Sequence, residues 1–540
     1  MDVLSGKPQS WLSWFLRGIL IVAFLILFSK LVEVQIIKGS YYRALAEENR
    51  IRHIPIPAPR GKIIARGGET LAGNIEVKRR VKFLSQGGFE ITDDLTGAGE
   101  DEIITDFRRY YSLGAKFAHG SGYLGEVSPD EVGKIDPLCQ IKGPRILGAL
   151  AGQTGLEAQY ECFLSGTPGE ELVEVDTSGK KIRTLGKREP VAGRDLKTTI
   201  DYKLQTETAN AMEDKKGAVI VSDTLGEILA FYSAPSFDPN KIGEGLFTDP
   251  DLPFFNRVIG GTFHPGSVFK PLVAISALEE GKIDENFRFN DTGVITVKTL
   301  YGDFSYTNWY FTQYGGREGE IYLIRAIARS TDTFFYTVGE MVGPESIAKW
   351  AGKLGLNKES GIDLPGEVKG LIPTPEWKEK VKKEKWFLGN TYHMSIGQGD
   401  VAVSPIEINT YISAIASGNL CKPHFTGDAN CEDLKLQKEN LNLVRDGMRE
   451  VCSTGGTGYT FFDFSQKHNG IEVACKTGTA ESSTDDEEPH AWFTLFAPVG
   501  DNLTPQVVAT VLVERGGEGS KVAGPIARKI LDKWVLETNP

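Results

Sequence analysis

Three short stretches of this sequence carry residues able to do nucleophilic chemistry together. Ser267 is followed three residues later by Lys270, and an apolar run continues to Leu278. Pro265 and Gly266 punctuate the chain just before, so a helix opening at Ser267 is expected. Residues three apart on a helix share a face, which sets the lysine amine beside the serine hydroxyl. A serine alone is a poor nucleophile. An amine held neutral by burial or by a second cation can take its proton. The free N–H groups of the first helical turn stand close by, where negative charge develops. An isolated pair of this spacing is a weak sign, since a capping serine with a solvated lysine reads the same way. The weight comes from two later elements in a set order: Ser330-Thr331-Asp332, then Lys476-Thr477-Gly478-Thr479. Those three elements in that order are a known signature of serine acyl transfer.

The surrounding chain has to hold these stretches together. Gly217–Asp223 and Glu227–Tyr232 read as a hairpin around a D-T-L-G turn. Glu320 to Arg329 looks helical and runs into Ser330, and Pro405 to Ser417 is a second helix with an apolar face. Val473 to Ala480 reads as a strand carrying Lys476. Two more apolar strands come next, Ala491–Ala497 and Gln506–Glu514, and Val522–Val535 closes the chain as a helix. Strands, a helical insertion, then strands and a final helix imply one antiparallel sheet with helices on its faces, an α+β domain. The denser pattern begins at Asp195, and the domain is set there, over 195–540.

Upstream, Gly18 to Ser29 is uncharged and strongly apolar, flanked by Arg17 and Lys30, with Trp11, Trp14 and Phe15 extending the apolar surface. No small-x-small site comes closely after it, so residues 1–38 are expected to be a cytoplasmic tail and an uncleaved membrane anchor. Residues 39–194 carry no catalytic constellation: a short polar helix at 40–52, strand–turn–strand over 59–72, and short β-like runs such as Glu171–Val175. They read as a stalk or docking domain. The net charge of −12 argues against nucleic acid as a partner. The six cysteines form no C-x-x-C, and the seven histidines are scattered, so no zinc site and no cofactor is called for. If the large domain lies in an oxidising exterior, Cys421 with Cys431 and Cys139 with Cys162 can pair, buried free thiols being the equal alternative. Cys475, beside Lys476, is read as a reactive or merely buried thiol. The acidic run Asp485-Asp486-Glu487-Glu488 is read as a solvated loop, with a part in substrate choice as the weaker reading.

At this breadth the sequence resembles the class B penicillin-binding proteins, and within them the elongation-type penicillin-binding protein 2 group. The likeness covers nearly the whole chain. It includes the single anchor, Arg60-Gly61, Thr154-Gly155-Leu156-Glu157, Ser330 through Tyr336, and Gly361-Ile362-Asp363-Leu364-Pro365-Gly366. It continues through Ser395-Ile396-Gly397-Gln398-Gly399, Lys476 through Ala480, His490-Ala491-Trp492-Phe493 and Val513-Glu514. The resemblance implies a penicillin-binding transpeptidase domain on an extended pedestal, crosslinking peptidoglycan outside the cytoplasmic membrane. It implies stem peptides ending in D-Ala-D-Ala as substrate, β-lactams as covalent inhibitors, and a SEDS-type membrane glycosyltransferase with elongation-complex proteins as partners.

By the same resemblance, Ser267 is the nucleophile and Lys270 its base, and Ser330 relays a proton to the departing D-alanine. Lys476 attracts the substrate carboxylate and helps keep Lys270 neutral. Thr477 and Thr479 offer hydroxyls to that carboxylate, and Gly478 lets the peptide lie on the strand edge. The backbone N–H groups of Ser267 and Thr479 form the oxyanion hole. Asp332 stands where most relatives have Asn, as is common in elongation-type members. The stalk is compact for the group, and no glycosyltransferase module fits before Asp195, so crosslinking is the expected activity. A β-lactamase, an inactive scaffold and a D-Ala-D-Ala carboxypeptidase are the rival readings. The carboxypeptidase is the hardest to separate by sequence, because its acylation half is identical.

Overall fold

The computed structural model describes residues 11–83, 89–99, 102–135, 137, 139–142, 149–176, 181–299, 302–481, 488–500 and 503–538. The chain forms two compact units. One comprises the N-terminal stretch to Arg60 with Asn74–Arg108 and Ser165–Gly193, the other Gly61–Gly73, Arg109–Leu164 and Arg194 onward.

In the first unit, Trp11–Val32 is an α-helix that continues as a π-helical turn over Glu33–Ile37. Apolar residues face outward around all of it, Leu20, Phe24 and Leu27 among them. At 1.5 Å per residue the regular helix alone is about 33 Å long, enough to cross a bilayer core. The polar helix Gly39–Arg50 comes next. Ile51–Ile56, Gly169–Val175 and Lys181–Arg188 form a three-stranded sheet, with the central strand antiparallel to both neighbours. A small core of Ile54, Val81, Val173 and Val175 lies within this unit.

The second unit is organised by a five-stranded sheet in the spatial order 228–234, 217–222, 507–513, 490–499, 472–480, with every pair antiparallel. The strand Val507–Val513 is buried at every position, as is Gly217–Ser222. Such near-continuous apolar, β-branched runs arise when both sheet faces are covered. Pro405–Ser417 packs on both strands, and the long helix Gly519–Thr538 packs on Val507–Val513 and His490–Val499. The helix Pro405–Ser417 has its expected bounds. Its start is fixed by Ser404, whose hydroxyl accepts from the Glu407 N–H while the Glu407 carboxylate accepts from the Ser404 N–H, and Gly418 ends it in the left-handed region.

Two local readings are corrected. Glu320 does not begin a helix: Gly319–Ile321 is a short strand paired with Phe289–Asp291, and the helix runs only over Leu323–Arg329. The strand pairing takes up the backbone groups that a longer helix would have used. Nor does a regular α-helix open at Ser267. Gly266–Phe269 is a 3₁₀ turn feeding into the α-helix Lys270–Glu279, which carries Pro271 in its first turn.

Candidate active site

The Lys270 helix is buried on all sides, through Leu272, Val273, Ala274, Ile275, Ala277 and Leu278. Its entry turn is held from three directions. The Tyr411 hydroxyl, on the Pro405 helix, donates to the Val268 carbonyl. The Gly266 N–H donates to the Gly397 carbonyl at 2.9 Å. The Trp492 indole N–H donates to the His264 carbonyl at 2.9 Å. The Ser395–Gly399 and His490–Phe493 motifs thus have a physical task, which is to fix the turn that presents Ser267. At Gly397, φ is +71°, and a Cβ there would lie 2.4 Å from the Gly266 carbonyl oxygen, so only glycine fits.

Ser330 ends the helix Leu323–Arg329 in the left-handed conformation, at φ +56°. A non-glycine residue there costs about 1 kcal/mol or more, which the surrounding hydrogen bonds must offset. Its hydroxyl oxygen accepts from the Lys270 amine and from the Lys476 amine, each at 3.0 Å. With both lone pairs engaged, the Ser330 proton is left to donate. Lys270 also donates to the Ser330 carbonyl at 2.7 Å and to Asp332 Oδ1 at 2.6 Å. The other Asp332 oxygen accepts from the Trp309 N–H at 3.0 Å.

The serine-to-lysine spacing predicts the amine beside the Ser267 hydroxyl. Among the described residues, the three hydrogen-bond acceptors of that amine are instead on Ser330 (two of them) and Asp332. An ammonium has three protons, and here all three are committed. The reason lies outside the local helix, in the convergence of the Ser330–Asp332 turn on the same amine.

Lys270 and Lys476 are both fully buried. Burial pulls the Lys270 amine below the ordinary lysine range, while the Asp332 carboxylate opposes that shift. Lys476 is pulled well below its usual range, by burial first and by the neighbouring Lys270 charge second.

Among the described residues, Lys476–Thr479 lies on the edge strand of the sheet, the position at which an extended peptide can add. Gly478 is buried. A Cβ on it would meet Val268 Cγ1 at 3.0 Å and the Pro265 carbonyl oxygen at 3.1 Å. Gly266 in turn packs on Thr479, a Cβ at Gly266 falling 2.7 Å from the Thr479 carbonyl oxygen. The two backbone segments expected to stabilise an oxyanion are thereby neighbours. Ser267, Ser330, Asp332, Thr477 and Thr479 all line one cleft of about 810 Å³. Lys270 and Lys476 stand behind its wall.

All six cysteines are paired: Cys139–Cys162, Cys421–Cys431 and Cys452–Cys475. The reading of Cys475 as a free thiol is therefore wrong. It bonds the Lys476 strand to the end of the helix Lys438–Val451. Residues 485–487 of the acidic run lie outside the described residues, while Glu488 lines the cleft.

Sequence reasoning also passed over Thr457 and Trp309, and named Gln398 only as part of the Ser395–Gly399 motif; all three line the same cleft. Only the glycine-rich setting of Thr457, Gly455-Gly456-Thr457-Gly458, offered a signal, that of a tight turn.

Residues 216–532 match the penicillin binding protein transpeptidase domain, and residues 89–198 match the penicillin-binding protein dimerisation domain. The peptidoglycan D,D-transpeptidase MrdA of Acinetobacter baumannii is 30% identical, over 97% of this chain and 87% of that protein. Among solved structures, the penicillin-binding protein PBP2 of Helicobacter pylori in complex with MreC superposes with a TM-score of 0.75 at 27% identity, over 91% of this chain and 99% of that one. A structure describing the coordination of polymerization and crosslinking by a peptidoglycan synthase complex matches with a TM-score of 0.73 at 26% identity, over 96% and 97% of the two chains. This chain belongs to the penicillin-binding protein family and carries that family's transpeptidase domain.

Proposed function

We propose that this protein is a serine-type peptidoglycan D,D-transpeptidase that crosslinks stem peptides during cell-wall synthesis. One observation carries the reading: Ser330 Oγ sits 3.0 Å from two buried lysine amines, in the cleft that Ser267 also lines. Ser267 Oγ attacks the carbonyl of the penultimate D-alanine, and Lys270 takes its proton once deprotonated, when its two remaining protons serve only two of its three acceptors and the lone pair is freed to accept. The Ser267 and Thr479 N–H groups receive the developing oxyanion. Thr477 and Thr479 hold the terminal carboxylate, and Lys476, behind the cleft wall, attracts it by charge. Ser330 donates its proton to the nitrogen of the leaving D-alanine and is reprotonated through the lysines. An amine from a neighbouring stem then displaces Ser267 from the acyl-enzyme, which closes the crosslink. A β-lactam enters the same first half and leaves Ser267 acylated.

The apolar N-terminal helix fits a single-pass anchor. We assign the catalytic unit to the exterior face of the cytoplasmic membrane, where peptidoglycan and three disulfides both belong. The pedestal lies within residues 39–194, of which Gly61–Gly73 and Arg109–Leu164 cluster with the catalytic unit. The match to a PBP2 solved with MreC, and to a synthase complex that couples polymerization to crosslinking, supports a scaffold protein and a membrane glycan polymerase as partners.

The test is intact mass after mixing the full chain in detergent with benzylpenicillin, followed over hours. A stable single adduct on Ser267, lost in Ser267→Ala, is the expected result. An adduct that clears within seconds means hydrolysis and overturns crosslinking as the main function.

A further inference from the structure

A loop that takes no part in the acyl-transfer steps lines the same cleft as Ser267, through Gly456 and Thr457. Residues 452–458 leave the helix Lys438–Val451 and turn back along the Lys476 strand. Cys452 is covalently joined to Cys475, one residue before Lys476. The loop closes on itself through the Gly458 N–H, which donates to the Val451 carbonyl at 2.8 Å. A Cβ at Gly458 would fall 2.8 Å from Cys475 Sγ, so the backbone lies directly against the disulfide.

At the head of this loop is Thr457, and three elements hold it. Its N–H donates to the Ala328 carbonyl at 3.2 Å, near the end of the helix that leads into Ser330. Its carbonyl accepts from the Ser520 hydroxyl at 2.8 Å, at the start of the C-terminal helix. Its side-chain oxygen lies 2.8 Å from Thr477 Oγ1. A backbone fixed at both its donor and its acceptor, beside a disulfide, presents that hydroxyl at one place.

We propose that Thr457 is a positioning residue for recognition of the donor peptide's terminal carboxylate, acting through Thr477. This rests on the assignment of Thr477 to that carboxylate. A hydroxyl has one proton and accepts on its lone pairs. In the contact between Thr457 and Thr477, only one of the two protons can lie between the oxygens. When a carboxylate enters the cleft, it can only accept. Thr477 donates a hydrogen bond to the carboxylate and accepts one from the Thr457 hydroxyl in return. Thr457 thus fixes the Thr477 rotor in the donating orientation and polarises it. Without Thr457, the Thr477 hydroxyl is free to turn away. The loop makes the cleft selective for substrates and inhibitors with a free carboxylate.

The test uses Thr457→Val and Thr457→Ser in the full chain in detergent, with benzylpenicillin and its methyl ester as probes. The second-order acylation rate is read by intact mass. Valine keeps the shape of threonine and removes the hydroxyl, while serine keeps the hydroxyl. Thr457→Val should slow acylation by benzylpenicillin about three- to tenfold, the size of one hydrogen bond to a charged-group relay. The rate with the methyl ester should change less than about twofold, and Thr457→Ser should recover benzylpenicillin acylation to within about twofold of the parent. Equal slowing with both probes means a merely structural loop and overturns the proposal, as does an unchanged rate with benzylpenicillin or a failure of serine to rescue. Should the parent chain itself take no label from benzylpenicillin, the site assignment fails first. A labelled parent with the wrong variant pattern sinks only the role of Thr457.

Discussion

Adding one methyl group at Gly266 tests whether the spacing between the nucleophile's turn and the Lys476 strand sets the rate. Gly266 has φ +57°, and a Cβ built there stands 2.7 Å from the Thr479 carbonyl oxygen and 3.2 Å from the Ala480 Cβ. The substitution carries two costs. An alanine in the left-handed region loses about 1–2 kcal/mol of stability. The contact with Thr479 is backbone on the far side, so no flexible side chain can swing clear. Relief requires the turn and the strand to separate by several tenths of an ångström. That movement pulls the Ser267 N–H and the Thr479 N–H apart. A misplacement of about 1 Å can cost about 10²-fold in rate, and losing one oxyanion donor costs about 10²–10³-fold. Gly266→Ala should therefore acylate with a fluorescent penicillin about 10²-fold more slowly, while thermal unfolding remains cooperative. Gly281→Ala is the control. Its φ is +63°, and nothing lies within 4 Å of the added Cβ, so it carries the backbone cost without the clash. It should destabilise the protein by the backbone cost alone, about 1–2 kcal/mol, and acylate within about twofold of the parent, since surface changes away from the site seldom matter more. Acylation of Gly266→Ala within about threefold of the parent would refute the reasoning, as would an equal loss in Gly281→Ala.

Two further outcomes are expected from charges in and near the sheet. Asp332→Asn removes the carboxylate that stabilises the Lys270 ammonium, leaving burial to oppose it. The neutral amine then persists to lower pH, and the acid limb of the acylation rate should move down the pH axis; an unmoved or raised limb would show that Asp332 does not set the charge of Lys270. Arg257 is almost wholly buried, donates from Nε to Glu514 Oε1 at 2.6 Å and caps the carbonyls of Asp251 and Leu252. Arg257→Ala strands Glu514 without its cation and should cost about 3–5 kcal/mol in denaturant unfolding, whereas a loss under about 1 kcal/mol would mean the pair is dispensable.

Local pattern determined much of this protein. The strand over Lys476, the hairpin at 217–234, the Pro405 helix with its capping box and the apolar N-terminal helix are each specified by neighbours within a few residues. Alternation, capping residues and apolar length act over that range. The order of the serine, lysine and threonine motifs likewise points to acyl transfer by itself. What the sequence could not supply were meetings between residues far apart in the chain. The commitment of the Lys270 amine to Ser330 and Asp332 depends on a turn about 60 residues away closing over it. The pairing of Cys452 with Cys475, and through it the seat of Thr457 against Thr477, depends on a helix end and an edge strand being packed side by side. Even Gly397 and Trp492 are ordinary residues until the fold brings them against the turn of Ser267. Short-range sterics and hydrogen bonding write the elements, but the distances that decide chemistry are set by which buried faces pack together, and that is a property of the whole core.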